Sequence, residues 1–212
     1  MRDRFLAVYT AVLTDVMDTR GLRSQTLPWA LRPLAPGMRL AGPAFTVAGR
    51  PAPDADHERT IRAVLTMLGE VPADHVAVYA TGHDVSAHLG ELSVTSLQAR
   101  GCAGAVLDGG CRDVDFILRT GFPVFSRFVT PEDSTWRWEL TETGAPIEIG
   151  GVRIGPGDWI VADTDGVVSV PAAIAEEVLV EAEAKAATEA EIRVAVREGM
   201  LPLEAYERFG TF

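Results

Sequence analysis

The segment from Leu89 to Asp115 holds the residues whose types and spacing best suit chemistry. Residues 109–113 read Gly-Gly-Cys-Arg-Asp and follow an apolar run that is typical of a buried strand. Arg112 and Asp113 would therefore lie beyond the carboxyl end of a strand, where open α/β sheets usually bind ligands. An arginine next to an aspartate at such an edge indicates a role in catalysis.

The local pattern leaves two interpretations open for each member of this pair. Asp113 could cap the helix that follows it, by accepting hydrogen bonds from the free N–H groups of that helix. It could instead bind a hard cation, because Mg²⁺ commonly takes one or two protein carboxylates and keeps several water ligands. Arg112 could form an ion pair with a neighbouring acid, or its planar guanidinium could hold an oxyanion beside the metal.

Gly90, Glu91 and Leu92 lie where a loop enters a predicted helix. The first N–H groups of a helix have no partner within the helix, and the helix dipole is positive at that end. These three residues could therefore hold a carboxylate or a phosphate group. By itself this signal is weak.

Hydrophobic periodicity predicts the elements that would position these residues. Helical spacing predicts a first helix over 5–17, with Gly21 as its stop. Between 44 and 126, short apolar runs alternate with amphipathic segments, which predicts repeated αβ units and a largely parallel, covered sheet. The predicted strands are 44–47, 75–80, 103–107 and 123–126, and the predicted helices are 58–68, 92–100 and 114–120.

The pattern changes after Pro131. Gly150-Gly151, between two alternating runs, predicts a tight hairpin over 147–154. Short strands over 159–162 and 167–170 continue the pattern as a meander, so we expect a second sheet. A long helix rich in Ala and Glu is predicted over 172–198, with its acidic face in solvent.

Composition limits the class of protein. The chain has 212 residues, 47% hydrophobic and 23% charged, which predicts one globular domain over 1–212. Its net charge of -11 argues against nucleic-acid or anionic-membrane partners. We expect a cytoplasmic protein, because the sequence has no run of eighteen apolar residues and no signal-peptide pattern. Cys102 and Cys111 lack Cys-x-x-Cys spacing and are expected to be buried, reduced thiols.

Other candidate ligands have weaker patterns. His83 and His88 are five residues apart, which is not the spacing of a helical zinc site, so we expect loop or surface histidines. Their closeness to Gly90 leaves a contact with substrate open. Asp163 and Asp165 resemble a fragment of a calcium loop, but the remaining ligands are missing and a turn is expected.

The chain resembles the RraA-like family, which includes class II aldolases for 4-hydroxy-4-methyl-2-oxoglutarate and 4-carboxy-4-hydroxy-2-oxoadipate. The main motif is an acid, twenty residues and then Arg-Asp, found here as Glu91 followed by Arg112-Asp113. Supporting matches cover most of the chain: Gly-Pro-Ala at 42–44, Gly-Phe-Pro-Val-Phe at 121–125, and the tail GGVRIGPGDWIVADTDGVVSVP at 150–171.

The resemblance implies an α/β fold of the three-layer ββα swivelling-domain type, with mixed sheets and a long C-terminal helix. It also implies a homotrimer, or a hexamer made of two trimers, with active sites between subunits. The expected cofactor is a divalent cation, Mg²⁺ or Mn²⁺, and the expected partner is a small 2-oxo acid, with no nucleic acid or membrane.

The same resemblance assigns roles by position. Asp113 would bind the metal directly, and Arg112 would contact the reacting oxygen of the substrate. Glu91 would hold a metal-bound water, although the aldolases carry Asp at that place, which puts the substrate in doubt more than the metal. The backbone of Gly90, Glu91 and Leu92 would receive the pyruvyl carboxylate. An acidic side chain from a neighbouring subunit's C-terminal helix would bind the metal through a water. Glu189 corresponds to that acid, and Glu191 is nearly as suitable.

The sequence independently limits the type of aldolase. A Schiff-base enzyme needs a lysine with a lowered pKa, but the only lysine, Lys185, has Glu181 and Glu189 at helical spacing, which favours the charged ammonium. Carbon–carbon cleavage would then depend on a metal.

We therefore expect a metal-dependent aldolase that releases pyruvate from a 4-hydroxy-2-oxo acid, with oxaloacetate decarboxylation as a side activity. The alternative is a non-catalytic regulator that binds and inhibits a ribonuclease. In that branch of the family the Arg-Asp pair is not maintained, so its presence here favours the enzyme. A methyltransferase is disfavoured, because no strand is followed by a Gly-x-Gly-x-Gly loop.

Overall fold

The computed structural model describes all residues, 1–212. The helices are α1 (Arg2–Ala7), α2 (Thr10–Thr19), α3 (His57–Glu70), α4 (Glu91–Ala99), α5 (Val114–Thr120), α6 (Ala175–Arg197) and α7 (Pro202–Phe209). The strands are β1 (Arg32–Pro33), β2 (Leu40–Pro51), β3 (Val76–Ala80), β4 (Ala87–Leu89), β5 (Gly104–Cys111), β6 (Val124–Val129), β7 (Trp138–Thr143), β8 (Ile147–Ile149), β9 (Val152–Ile154), β10 (Trp159–Ala162) and β11 (Val167–Val170).

Nine of these strands form one mixed sheet. Its main path runs β1-β6-β5-β3-β2-β10-β11, with β4 paired to β5 and β7 paired to β2. The pairs β2–β3, β3–β5, β4–β5 and β5–β6 are parallel, and the remaining pairs are antiparallel. Strand β2 is long enough to pair with β10 along its first half and with β7 along its second half. The hairpin β8–β9 is a separate two-stranded sheet.

Alternating side chains of the central strands bury both faces of the sheet. Along β3, Val76 and Val78 pack towards the β8–β9 hairpin, whereas Ala77 and Tyr79 pack towards α3, α4 and α5. This explains why the strand is apolar throughout, since each face is covered. A third apolar cluster joins α1, α2 and α6 to β10 and β11. No helix is both long and apolar enough to cross a bilayer.

The α/β class, the mixed sheets and the long C-terminal helix predicted from the sequence are confirmed. The alternating αβ units between 44 and 126 lie at the predicted places, and the hairpin over 147–154 is present. The expected second sheet is only that hairpin, because β10 and β11 join the main sheet through β2. Four elements were not predicted: β1, β4, β7 and α7.

The predicted first helix is wrong in one respect, because the chain is extended at Val8 and Tyr9 and begins a second helix at Thr10. Asp163, in the turn after β10, explains the break. Its carboxylate accepts hydrogen bonds from the Thr10 N–H at 2.8 Å and from the Thr10 hydroxyl at 2.7 Å. Asp163 therefore caps α2 from a distant loop, and it also forms the expected turn by accepting from the Asp165 N–H.

The acidic face of α6 is exposed to solvent, as the sequence predicted, and it also carries ion pairs to the N-terminal helices. Arg4 pairs with Glu176 and Glu183, and Arg20 pairs with Glu177 and Glu181. These ion pairs attach both N-terminal helices to α6. Each pair is partly exposed, so solvent screens its contribution to stability.

Asp163→Ala is expected to lower the free energy of unfolding by about 1–3 kcal/mol, because it leaves the buried Thr10 groups without an acceptor. Urea denaturation followed by circular dichroism measures this change. The control is Asp165→Ala, whose side chain is exposed and should change stability by less than about 0.5 kcal/mol. Equal effects of the two changes would show that the cap does not hold α2.

Candidate active site

Strand pairing brings the two halves of the sequence motif together. Strand β4 lies parallel to β5, and the Arg112 N–H donates to the Leu89 carbonyl at 3.0 Å. The loop after β4 and the loop after β5 therefore leave the sheet side by side. On the other side of β5, the Thr130 N–H donates to the Cys111 carbonyl at 3.0 Å and places the end of β6 against the same edge.

The Asp113 carboxylate points back to the first half of the motif. Its Oδ2 accepts a hydrogen bond from the Glu91 N–H at 3.1 Å, at the first residue of α4. Asp113 itself precedes α5 in a left-handed conformation, with φ 59° and ψ 32°, and makes no side-chain bond to α5. The capping interpretation is therefore wrong for α5: the left-handed turn directs the carboxylate away from that helix, and it caps α4 instead.

Glycine at position 90 is required by this close approach. A Cβ built on Gly90 would lie 2.6 Å from Asp113 Oδ2 and 3.2 Å from the Arg112 side chain. Any larger residue would therefore push the Arg-Asp pair away from α4. Gly90 belongs to the site because it makes room for both side chains.

Arg112 lies between two carboxylates. Its Nη1 is 3.1 Å from Asp133 Oδ2, and its Nε is 3.8 Å from Asp113 Oδ2. Burial of Asp133 raises its pKa, but the Thr135 N–H and the Arg112 guanidinium outweigh that effect and hold the pKa below its usual range. The ion-pair interpretation of Arg112 is thus correct for Asp133, and the guanidinium also faces the cleft at Asp113.

Asp133 was not predicted from the sequence. It lies in the loop after β6, where its Oδ1 accepts a hydrogen bond from the Thr135 N–H at 3.0 Å. This is an Asx turn, for which the Asp-Ser-Thr sequence is a suitable signal. The signal predicts the turn but not the long-range partner Arg112.

The first turn of α4 has unused hydrogen-bond donors. Glu91 N–H is taken by Asp113, whereas the N–H groups of Leu92 and Ser93 have no acceptor in the chain. These donors and the positive helix end suit an anion. The Glu91 side chain accepts a hydrogen bond from the Thr95 hydroxyl at 2.9 Å and so lies along α4.

An open cleft of about 350 Å³ lies against the Arg-Asp pair. It is lined by Cys111, Arg112, Asp113, Val114, Val129, Thr130 and Pro131. Larger clefts of about 430, 450 and 630 Å³ lie elsewhere, and none of these three contains a residue of the motif. Of these clefts, only the one of about 350 Å³ contains the Arg-Asp pair.

The donor set of this chain fits a water-rich divalent cation. Asp113 offers a carboxylate that is about two-fifths exposed and whose Oδ1 has no hydrogen-bond partner. No group of three or more His, Cys, Asp or Glu side chains converges in the chain. This set suits Mg²⁺ or Mn²⁺, which keep several waters beside one or two carboxylates. It does not suit a closed tetrahedral zinc site.

The acids of α6 differ in their freedom to reach another subunit. Glu189 accepts a hydrogen bond from the Tyr9 hydroxyl and lies 3.8 Å from Arg193 and 4.0 Å from Lys185. The Glu191 side chain is exposed and lines the cleft of about 630 Å³ between α6 and α7. Glu189 is therefore held by its own chain, whereas Glu191 is free.

The two histidines near the motif are not equivalent, and the expectation of a loop or surface position is wrong for His88. His88 belongs to β4, is only 7% exposed, and neither ring nitrogen has a hydrogen-bond partner. Burial lowers its pKa to about 3. Its ring packs edge-on against Trp138 and His83, with centroids 5.0 and 5.5 Å away. His83 lies in the preceding loop, half-buried, near Ser86.

Neither the lysine nor the two cysteines are placed to act as nucleophiles. Lys185 is 3.3 Å from Asp15 and 4.0 Å from Glu189, at the interface of α2 and α6. Its predicted partner Glu181 pairs with Arg20 instead. Cys102 and Cys111 are free and buried, as expected, and burial raises the pKa of both thiols. A neutral buried thiol is a poor nucleophile.

The fold and this edge site define an α/β protein of the RraA type. The family model described as RraA-like, Aldolase/RraA, matches residues 10–169, and the chain belongs to that family. The resemblance drawn from the motif is thereby confirmed.

Similar proteins carry two kinds of description. A Halalkalibacterium halodurans protein named "Putative 4-hydroxy-4-methyl-2-oxoglutarate aldolase" is 30% identical over 203 residues, covering 96% of this chain and 91% of that protein. A Pseudomonas syringae structure is 31% identical with a TM-score of 0.85 and covers 96% and 94% of the two chains. Streptomyces coelicolor RraAS2, described as an unusual member of the RNase ES inhibitor RraA protein family, is 30% identical with a TM-score of 0.78 and covers 88% and 92%.

Gly90→Ala is expected to displace the exposed Asp113 carboxylate from the Glu91 N–H, because the new methyl group would lie 2.6 Å from Oδ2. The free energy of unfolding should fall by about 0.5–1.5 kcal/mol, the worth of the hydrogen bond that is lost. Chemical denaturation measures the change. Gly69→Ala, in α3 with open space around it, is the control and should be neutral or stabilising by up to about 1 kcal/mol. Unchanged stability of Gly90→Ala would contradict the close approach.

His88 is expected to make the protein less stable in acid. The unfolded imidazole takes up a proton as the pH falls through 6.5, whereas the buried imidazole stays neutral until the pH nears 3. Stability is therefore lost within that window, by about 2 kcal/mol between pH 7 and pH 5. Urea denaturation at both pH values measures the loss. His88→Gln should remove it, and His75→Gln should keep it; an unchanged pH dependence in His88→Gln would exclude this source.

Proposed function

We propose that this protein is a class II aldolase, a carbon–carbon lyase that cleaves a 4-hydroxy-2-oxo acid into pyruvate and a second carbonyl compound. The observation that carries the proposal is the Asp113 carboxylate, with one free oxygen, beside the Arg112 guanidinium and the open first turn of α4. Family membership and the name of the H. halodurans relative support it.

In this proposal, different groups of the chain bind the substrate and stabilise the charges that develop on it. The free N–H groups of Leu92 and Ser93 bind the substrate carboxylate at the positive end of α4. Arg112 stabilises the oxygen on C4 as its proton leaves. The C3–C4 bond then breaks, the C4 oxygen becomes the carbonyl of the second product, and the bonding electrons pass to the pyruvyl fragment. That fragment takes up a proton on C3 to give pyruvate.

Mg²⁺ or Mn²⁺ held by Asp113 would supply Lewis-acid stabilisation of the negative charge on the pyruvyl fragment. The Glu91 carboxylate lies along α4, where it accepts a hydrogen bond from Thr95. Turned towards Asp113, it would hold a water that moves protons between the C4 oxygen and C3. Lys185 takes no part, since it lies among carboxylates of α2 and α6. Oxaloacetate decarboxylation yields the same pyruvyl fragment, so we propose it as a side activity.

We also propose a cytoplasmic homotrimer, or a hexamer of two trimers, with each site completed by a neighbouring subunit. The cleft at Asp113 is open, and one carboxylate leaves most positions of a cation to water or to another chain. An acid from a neighbouring α6 would hold such a water. Glu191 is freer than Glu189 for this role, because Tyr9 and Lys185 hold Glu189 within its own chain.

A second candidate function is a regulator that binds and inhibits a ribonuclease. The likeness to RraAS2, at 30% identity, is the observation that favours it. The Arg112-Asp113 pair favours the enzyme instead, because a carboxylate with a free oxygen, a guanidinium and the unused N–H groups of α4 together suit a cation and a small 2-oxo acid. Absence of turnover with every metal, together with tight binding to a ribonuclease, would establish the regulator.

Asp113→Asn is expected to abolish pyruvate release, by at least about a hundredfold, while the fold is kept. Asparagine tolerates the left-handed backbone and still accepts the Glu91 N–H, but it lacks the charge that binds a cation. Pyruvate release from 4-hydroxy-2-oxo acids, with Mg²⁺, with Mn²⁺ and after chelation, is the measurement.

The matched control is Asp115→Asn, an exposed acid two residues further along α5, which should keep full activity. Circular dichroism checks that each variant is folded. Full activity of Asp113→Asn, or pyruvate release that chelation leaves unchanged, would refute metal-dependent cleavage at this site.

A further inference from the structure

Asp133 provides the closest carboxylate contact of the Arg112 guanidinium. Arg112 Nη1 lies 3.1 Å from Asp133 Oδ2, whereas Arg112 Nε lies 3.8 Å from Asp113 Oδ2, which is beyond hydrogen-bond distance. The Arg112 side chain is 36% exposed, and a partly exposed arginine has many rotamers to choose from. The contact with Asp133 therefore decides where the rest of the guanidinium points.

The chain holds Asp133 in place by hydrogen bonds of the surrounding backbone. Asp133 Oδ1 accepts from the Thr135 N–H at 3.0 Å, so Oδ2 is left for Arg112. Next to it, the Ala87 N–H donates to the Glu132 carbonyl at 2.8 Å, and Ala87 forms a parallel bridge with Asp133. All of these partners belong to one chain, so the arrangement does not require a neighbouring subunit.

The same backbone contacts place the loop after β6 against both halves of the site. Ala87 begins β4, which leads into Gly90 and α4, and β4 pairs with the strand β5 that ends before Arg112. Asp133 itself is not among the residues that line the cleft. It therefore contacts Arg112 from outside the space that a substrate would occupy.

From this geometry we infer that Asp133 is a positioning residue, which orients the Arg112 guanidinium towards the C4 oxygen of the substrate. Because Asp133 takes the Nη1 end, the N–H groups of Nε and Nη2 remain for the cleft. A donor that is fixed in advance stabilises a developing negative charge without first having to be ordered. The inference rests on the proposed function and adds to it a residue that the sequence motif does not contain.

The experiment separates the ion pair from the turn that Asp133 forms. Asp133→Asn keeps an oxygen that can accept the Thr135 N–H but loses the charge that pairs with Arg112, whereas Asp133→Ala loses both. Pyruvate release is measured with Mg²⁺ from 4-hydroxy-4-methyl-2-oxoglutarate, the compound in the name of the H. halodurans relative. Both variants should lower kcat by at least about tenfold and change KM by less than about threefold, because Arg112 acts in the transition state.

Glu132→Gln is the matched control, because Glu132 forms an ion pair with Arg137 at 3.1 Å in the same loop. Loss of that pair should leave kcat within about twofold of the wild-type value. A double-mutant cycle then tests the route of the effect. In the Arg112→Ala background, Asp133→Asn should lower kcat no further, because Asp133 acts through Arg112. Circular dichroism confirms that each variant is folded.

A second measurement does not depend on turnover. Phenylglyoxal modifies arginine side chains, and mass spectrometry of the peptides gives the rate of modification at each position. A guanidinium that has lost its carboxylate partner is easier to modify. Asp133→Asn should therefore raise the rate several-fold at Arg112, whereas Glu132→Gln should raise it at Arg137 and not at Arg112.

The outcomes separate the two proposals. Wild-type kcat in Asp133→Asn, or a loss of kcat in Asp133→Ala alone, would overturn the positioning role and leave the aldolase in place. A further loss of kcat in the double variant, or an unchanged rate of modification at Arg112, would also overturn it. No pyruvate from the wild-type protein would refute the aldolase, and the modification rates would then show only whether Asp133 holds Arg112.

Discussion

The hydrogen bond from the Glu91 N–H to the Asp113 carboxylate is the interaction on which the rest of the site depends. It joins two loops that are 22 residues apart and fixes the Arg-Asp pair against the first turn of α4. The left-handed backbone of Asp113 makes this possible and costs about 1 kcal/mol. A hydrogen bond to a charged group is worth about 1.5–3 kcal/mol, so the contact can sustain that conformation. The contact also depends on Gly90, because a side chain at that position would occupy the space of the Asp113 carboxylate.

Charge is the second constraint on the site. One guanidinium, that of Arg112, is shared between Asp113 and Asp133, so the cleft carries more negative than positive charge. Such a cleft favours uptake of a cation. The proposed metal dependence therefore follows from this imbalance.

The strands that position the open cleft are tightly packed. Strand β4 lies against the end of β5, where a Cβ on Gly109 would lie 2.8 Å from the His88 ring. The buried Trp138 donates from its indole N–H to the Thr81 carbonyl at 2.9 Å and packs on that ring. Close packing of this kind leaves little freedom to the two loops that emerge from it. The edge where ligands would bind is therefore exposed, while the strands that position it are buried.

The sequence by itself determined most of the elements and the residues of the motif. Hydrophobic periodicity is a local property, so it predicted α3, α4 and α5 and, between them, the strands β3 and β5. The one lysine among carboxylates already argued against a Schiff base. It also named Gly90, Arg112 and Asp113 as neighbours in one motif. What it could not determine was how side chains from different segments meet.

Only the tertiary structure determined these contacts between side chains of different segments. Residue type permits a left-handed conformation at Asp113 but does not impose it, so the helix that the carboxylate caps became visible only in the fold. Asp133 reaches Arg112, and Asp163 divides the first helix at Thr10, across separations that no local pattern records. His88 is buried because β4 pairs with β5. The residues around His88 in the sequence did not predict this pairing. Hydrophobic periodicity indicates which side of a helix or strand is buried. Ion pairs and caps between segments depend instead on strand register, and long-range packing sets that register.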